Sequence, residues 1–557
     1  MSSAALTVRG AGQFSDPPYL SGLAHLMEHI TLSSSTRPRR GDFEEWLNSD
    51  YADGFSNGFT AYEKVCFHFQ CQTEAFSEAL ERFSRLFLQD VIQQTCNNRE
   101  SVRRETRRVN SELDRNDLFT RELYLTKSLV NPKHPYSKMS MGSLETLERL
   151  PIEADINISQ ELFDFFQRQY QPSRTILVVV SPSPIATLES WVQPFSSALS
   201  KKRVQQDITA ITRNFPQFLL PRSPINTYCL FRKKPTDDIV ADNSEKLTFQ
   251  WALDQDYSEL LTNPSSNNVV TATQIGFVMA EVLGRRGPGT LYTVLKDKKW
   301  VPDGSRGVPR ISFPVDVTGF QIMRLELTLT LDGFANRSSA IATVFDCLGR
   351  LKGVGALSRE LIAQYCTVAQ LYGQVLAPRA PDAIELAFDG QIYGVDDECG
   401  VGSGNWRLLP LPDNTVGVRN LQQAMSKVFE RIGDPSNTII IATASQKAIQ
   451  SFEGNVFEEP FPLFSPASWN ISPITGARFL PENNLLTGKI NGWLSAILQE
   501  GELLPPVLNP LVPPSVRPAR MQGMVATPQS NELLEDLKVL AVKPNVDTSP
   551  DPLQSSI

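Results

Sequence analysis

Lys64-Val65-Cys66-Phe67-His68-Phe69-Gln70-Cys71 places an apolar residue at every second position, the period of a strand with one face on a core. Phe76, Leu80, Phe83 and Phe87 follow at helical spacing and form a single apolar stripe. A chain that switches so quickly between the two periods covers a sheet with helices. The pattern continues on both sides. Residues 5–8 and 175–180 are strand-like and residues 20–32 helical; further on, 247–253 and 321–329 alternate as strands around a helix over 272–283. The apolar run 438–442 closes the second stretch much as 176–180 closes the first. Some consecutive strands look hairpin-connected, which favours α+β over a doubly wound parallel sheet. The expected fold is two similar domains, each a mainly antiparallel sheet with helices packed on one face, plus a flexible Pro-rich C-terminal tail.

A length of 557 residues implies two to four domains. The matching order of elements places them at 1–205 and 223–455 as a duplicated unit, joined by a Pro-marked connection near 215–224. Residues 456–557 read as linker and tail. Leu504-Pro505-Pro506-Val507 and Val512-Pro513-Pro514-Ser515 have no periodicity and little to bury, and a short helical pattern over 531–539 reads as a frayed helix. With 41% apolar and 20% charged residues and a formal net charge of −8, the chain can build real cores and has no basic excess to engage nucleic acid. Its seven cysteines are scattered, odd in number and never arranged as CxxC, which fits a reducing compartment better than a disulfide scaffold. No apolar run is long enough for a membrane span, and the start lacks a secretory signal. The expected location is intracellular, in the cytoplasm or an organelle.

Of only four histidines, two stand four apart in His25-Leu26-Met27-Glu28-His29. On a helix their imidazoles project from one face, one turn apart, and two such imidazoles can share a Zn²⁺. Glu28 reaches the same edge, where a carboxylate can take a proton from an attacking water and return it to a leaving amine. This is the H-x-x-E-H order of inverted zinc motifs. An open zinc site wants a third protein ligand. Candidates lie in the helix-forming run from Arg99 to Glu112, where Glu105 and Glu112 share a face two turns apart and Glu100 is rotated off it. Charge pattern alone reads that run as a solvated, salt-bridged helix. His68 alternates within a strand and His134 sits in a Pro-bounded loop, and both read as structural.

The pentad followed by Glu105 and Glu112 resembles the signature of the insulinase (pitrilysin) family of zinc metallopeptidases. Gly12-Gln13-Phe14-Ser15-Asp16-Pro17-Pro18 and Ser21-Gly22-Leu23-Ala24 precede it as in that family. Phe55-Ser56-Asn57-Gly58-Phe59-Thr60, the stretch from Asn131 to Lys138, and Gly287-Pro288-Gly289-Thr290-Leu291 follow in family order. The resemblance covers roughly residues 4–455 and is most specific in the first 150. It implies that His25, His29 and Glu112 bind one zinc, that Glu28 is the general base, and that Glu105 supports the site from behind. It also implies that Ser56, Asn57, Gly58 and Phe59 form an edge strand that pairs with a peptide substrate backbone. Leu32 and Phe59 would line the pocket after the scissile bond; as ordinary core residues they read equally well.

Three departures from the family qualify this. Its first domain opens with one more strand ahead of residues 4–8, so the start of this chain reads either as a truncated gene model or as a true variant with an exposed sheet edge. The run from Glu100 to Glu112 is a few residues longer than the family's. The subfamily has four such domains, whose far half supplies an Arg and a Tyr that assist catalysis. The resemblance therefore implies either a metalloendopeptidase completed by a second peptidase-like subunit or by self-association, or a catalytically weak half-protein that binds peptides or a partner.

Overall fold

The computed structural model describes residues 1–34, 43–114, 118–131, 133–138, 141–198, 218, 227–232, 245–253, 272–317, 320–353, 356–375, 415–445, 447–448, 477–479 and 538–542. Eleven strands among them form two sheets. β1 (Ser2–Arg9), β2 (Phe55–Thr60), β3 (Lys64–Cys71) and β4 (Thr175–Val180) belong to the first. β5 (Thr227–Arg232), β6 (Glu245–Leu253), β7 (Arg310–Val317), β8 (Phe320–Leu329) and β9 (Thr438–Ala444) belong to the second. Two short strands, β10 (Ala477–Phe479) and β11 (Lys538–Val542), complete the second and the first respectively.

The first sheet runs β11-β4-β1-β3-β2 and the second β10-β5-β9-β6-β8-β7. In each, four strands pair antiparallel in the same order, β4-β1-β3-β2 against β9-β6-β8-β7. Each also adds one parallel strand beyond its closing strand: β11 on β4, and β5 on β9. The strands expected at 175–180 and 64–71 match β4 and β3 residue for residue, and the alternation in β3 sends Val65, Phe67, Phe69 and Cys71 into the core. The expected helical pattern over 531–539 is not what forms at its end. Lys538 and Val539 belong to β11, because Val539-Leu540-Ala541-Val542 is a short apolar, β-branched run and β4 offers it a backbone ladder. Residues 531–537 lie outside the described residues, as does most of the stretch expected to be tail.

Each sheet packs helices on one face. In the first, Phe76, Leu80, Phe83 and Phe87 meet Phe67 and Phe69, with ring centroids 5.0 Å apart for Phe69 and Phe83 and 5.3 Å for Phe67 and Phe87. In the second, Phe249 and Trp251 pack under helices that contribute Met279, Phe345 and Phe429. A third core joins the two. Leu125, on the helix Leu118–Leu129 that follows the glutamate-bearing helix, packs with Phe320, Ile322, Ile439 and Ile441 on the other face of the second sheet. Thr443 donates to Glu122 Oε1 at 2.6 Å and Gln250 to Thr126 Oγ1 at 3.1 Å across the same contact.

Candidate metal centre

The pentad lies on the helix Leu23–Ser33. Its inner face, Leu23, Ala24, Leu26, Met27 and Ile30, is fully buried in the first core, each larger side chain contributing about 1.5–3 kcal/mol. That burial fixes the rotation of the helix and leaves His25 and His29 on the rim. Gly22 begins the helix at φ 92°, and a Cβ there would stand 2.3 Å from Gly142 Cα. Asp16 accepts the first free amides, from Gly22 at 2.7 Å and Ala24 at 2.8 Å. Burial nevertheless pushes its carboxyl up to about 7 against those two bonds.

His25 and His29 sit with ring centroids 4.8 Å apart. His25 Nδ1 lies 2.7 Å from the Met141 carbonyl, an acceptor that assigns the proton to Nδ1 and leaves the Nε2 lone pair facing outward. The helix Arg99–Asp114 packs alongside. From it, Glu112 brings Oε2 to 3.4 Å from His25 Nε2 and Oε1 to 3.6 Å from His29 Nε2. Glu105, one face and two turns back, is buried with Oε2 3.7 Å from His29 Nδ1. Arg104 and Arg108 donate to the same carboxylate at 3.0 and 3.2 Å. Burial works against the Glu105 anion, but His29 and the two guanidiniums outweigh it and hold the carboxyl below its usual range. The reading of this run as a wholly solvated helix therefore holds for its arginines and fails for Glu105.

Glu28 is buried beneath the two imidazoles, and burial raises its carboxyl above the ordinary value despite the pull of His25, Thr60 and His29. Burial opposes the His25 imidazolium, but Glu112, Glu28 and the Met141 carbonyl more than compensate. His25, Glu28 and His29 form the one group among the described residues with ligand atoms close enough for a metal, all within 4.8 Å of one another. Two imidazole nitrogens and a carboxylate within reach are the donor types an open zinc site uses, and the hydrogen bond of His25 to the Met141 carbonyl is of the kind that backs metal-ligating histidines. Among the described residues the second sheet has no counterpart. Its helix Ala272–Gly284, between β6 and β7 as the pentad helix lies between β1 and β2, carries no histidine.

β2 closes the site from one side. No other strand among the described residues pairs with its outer edge. Gly58 and Thr60 face the pentad helix: a Cβ on Gly58 would stand 3.0 Å from Glu28 Oε1 and 3.1 Å from Leu32 Cδ1, and the Thr60 hydroxyl donates to Glu28 Oε2 at 2.6 Å. Alternation then sends Phe55, Asn57 and Phe59 to the opposite face, where the rings of Phe55 and Phe59 flank His68 at 6.2 and 6.3 Å. Leu32 and Gly58 are thus brought together against Glu28, whereas Phe59 lies across the strand from them. Ser56 shares the Gly58 face. Thr60 and Met141 had no assigned role in the sequence, because each acts through a single contact made far along the chain. His134 is buried between Phe218 and Phe320.

Residues 1–132 match the model of the family described as Insulinase (Peptidase family M16). Nardilysin of Rattus norvegicus is 29% identical over 64% of this chain and 28% of its own length. Insulin-degrading enzyme of Homo sapiens is 28% identical over 66% of this chain and 32% of its own. The chain thus spans under a third of the curated relatives it matches. Among solved structures, pitrilysin shares the fold at a TM-score of 0.66 and 18% identity, over 92% of this chain and 47% of that one. No helix among the described residues is long and apolar enough to cross a membrane. Residues 1–132 are thus similar to the insulinase family (Peptidase family M16), and about two thirds of the chain is similar to nardilysin and insulin-degrading enzyme.

Proposed function

We propose that this chain is a zinc-dependent metalloendopeptidase that cuts oligopeptides held in extended form, with residues 1–205 as its metal-binding domain and 223–455 as a second, metal-free peptidase-like domain. The observation that carries the reading is the approach of Glu112 to both imidazoles while Glu28 stays buried beside them. His25, His29 and Glu112 would hold the zinc, which when bound supplies Lewis acidity at the scissile carbonyl. Glu105 keeps His29 oriented. Glu28 accepts the proton of the attacking water and passes it to the departing amine nitrogen, so the carboxylate is regenerated each cycle. The outer edge of β2 offers its backbone groups to the peptide, Ser56 and Gly58 lie toward Glu28, and Leu32 lines the adjacent wall.

A second reading is a half-protein that binds peptides or a partner with weak turnover, motivated by the share of the relatives that the chain spans. On the first reading, a second peptidase-like subunit or self-association would complete the substrate chamber. Zinc content and cleavage of a quenched peptide, compared between wild type and Glu28→Gln, separate the two. The peptidase reading expects Glu28→Gln to keep zinc and lose cleavage, because the amide cannot take the proton; His29→Ala should lose both. Equal cleavage by wild type and Glu28→Gln would reject the mechanism.

A further inference from the structure

The two sheets share an arrangement with one difference of origin. Beyond the closing strand of the second sheet, β9, lies β5, parallel to it and supplied from just ahead of β6 in the sequence. Beyond the closing strand of the first sheet, β4, lies β11, also parallel, but supplied from the far end of the chain. The register is continuous, from Lys538 opposite Ile176 to Val542 opposite Val180. All six residues of β4 are buried, as expected of an interior strand. The sequence supports the same reading: Val539-Leu540-Ala541-Val542 is an apolar run with a β-branched valine at each end, within a Pro-rich region and two residues ahead of Pro544.

We propose that Lys538–Val542 is a donated strand: a separable segment that fills, on the metal-bearing sheet, the position β5 fills on the other. The outer edge of β4 is then a docking surface for an extended apolar segment running parallel to it, and its occupant is this chain's own C-terminal segment. The physical reason is the cost of the alternative. An apolar sheet edge left open presents a row of unpaired N–H and C=O groups and invites pairing with other chains. A five-residue strand added by backbone bonds removes that edge, as in β-strand addition between separate chains. β11 is at the opposite end of the sheet from β2, so the donation stabilises the sheet without touching Glu28 or the imidazoles. The inference does not depend on the peptidase reading.

The test uses the full chain with a protease cleavage site inserted between residues 515 and 530. After cleavage, the C-terminal fragment should co-elute with the monomeric remainder on size exclusion. The same cleavage in Val539→Pro/Leu540→Pro/Ala541→Pro should release it, since proline removes ladder donors. Hydrogen exchange of intact protein gives an independent readout. The peptide spanning Thr175–Val180 should exchange at least about tenfold faster in the triple variant than in wild type, because those amides that face β11 lose their partners. Release of the wild-type fragment on cleavage, or equal exchange at 175–180 in both proteins, overturns the proposal. Retention only in a dimeric fraction assigns the strand to a second copy and overturns donation within the chain.

Discussion

Thr60 illustrates what a single side chain adds at the site. Its hydroxyl donates to Glu28 Oε2 at 2.6 Å, fixing the position of the carboxylate beside the imidazoles. A hydrogen bond to a charged group contributes about 1.5–3 kcal/mol, which converts to roughly ten- to a hundredfold in rate if it is needed for alignment. Thr60→Val should therefore keep zinc stoichiometry and lower kcat by about tenfold or more with little change in KM, and Thr60→Ser should recover most of it. Zinc analysis beside steady-state kinetics checks this, and a loss confined to KM would contradict it. The pentad was legible in the sequence because His25, Glu28 and His29 are related by helix geometry alone. Glu112 was legible only through resemblance, since its charged surroundings read as solvent-facing. Thr60 and Met141 were not legible: a hydroxyl and a backbone carbonyl carry no sign of the partner that folding brings to them.

Elements behave likewise. Local alternation identified β3, an unbroken apolar run β4, and helical periodicity the helix that carries Phe76 and Phe83, because each pattern is complete within the segment. β11 was misread, because five residues can satisfy either period and only the distant β4 decides between them. The turn into the pentad helix gives a test at this scale. Gly22 combines φ 92° with a gap that a Cβ would close to 2.3 Å from Gly142, so Gly22→Ala must strain the backbone and push two segments apart. A loss of about 2 kcal/mol or more is expected in denaturant unfolding, together with weaker zinc retention. The segment that holds His134 gives another. Burial, reinforced by the Lys127 charge, pulls its imidazole down to about 3, and His134 Nδ1 accepts from the Tyr136 amide at 3.1 Å. A base whose folded pKa is depressed contributes stability that is complete above its unfolded value, near 6.5, and is lost as pH falls toward 3. By pH 5 the loss from this group is about 2 kcal/mol. His134→Asn, which keeps an acceptor, should flatten that part of the stability profile measured by urea titration between pH 7 and 5. A profile of unchanged slope would show that His134 does not titrate on unfolding.

At the scale of the molecule, the helix Leu118–Leu129 decides whether the two sheets unfold together. It follows the glutamate-bearing helix of the candidate metal site in the sequence, yet its apolar face belongs to the third core, where Leu125 is fully buried against Phe320, Ile322, Ile439 and Ile441. Polar contacts reinforce the seam: Thr443 donates to Glu122, and Arg324 Nη2 lies 3.4 Å from the same carboxylate. Sequence patterning could not place this seam, because an amphipathic helix does not state which sheet it covers, and both sheets have faces to bury. The prediction follows from packing. Leu125→Ala removes three carbons from a fully buried side chain, and such truncations cost about 2–5 kcal/mol. Because that loss falls on contacts between the sheets rather than within either, it should appear as uncoupling. Wild type should melt in one calorimetric transition, and Leu125→Ala in two, with zinc release following only the one that unfolds the first sheet. Glu122→Gln keeps an acceptor for Thr443 and weakens only the contact with Arg324, so it should shift the transition slightly without splitting it. One unsplit transition at the wild-type temperature in Leu125→Ala would mean that the third core does not couple the sheets, and that the approach of Glu112 to the pentad is stabilised within the first sheet's own helices.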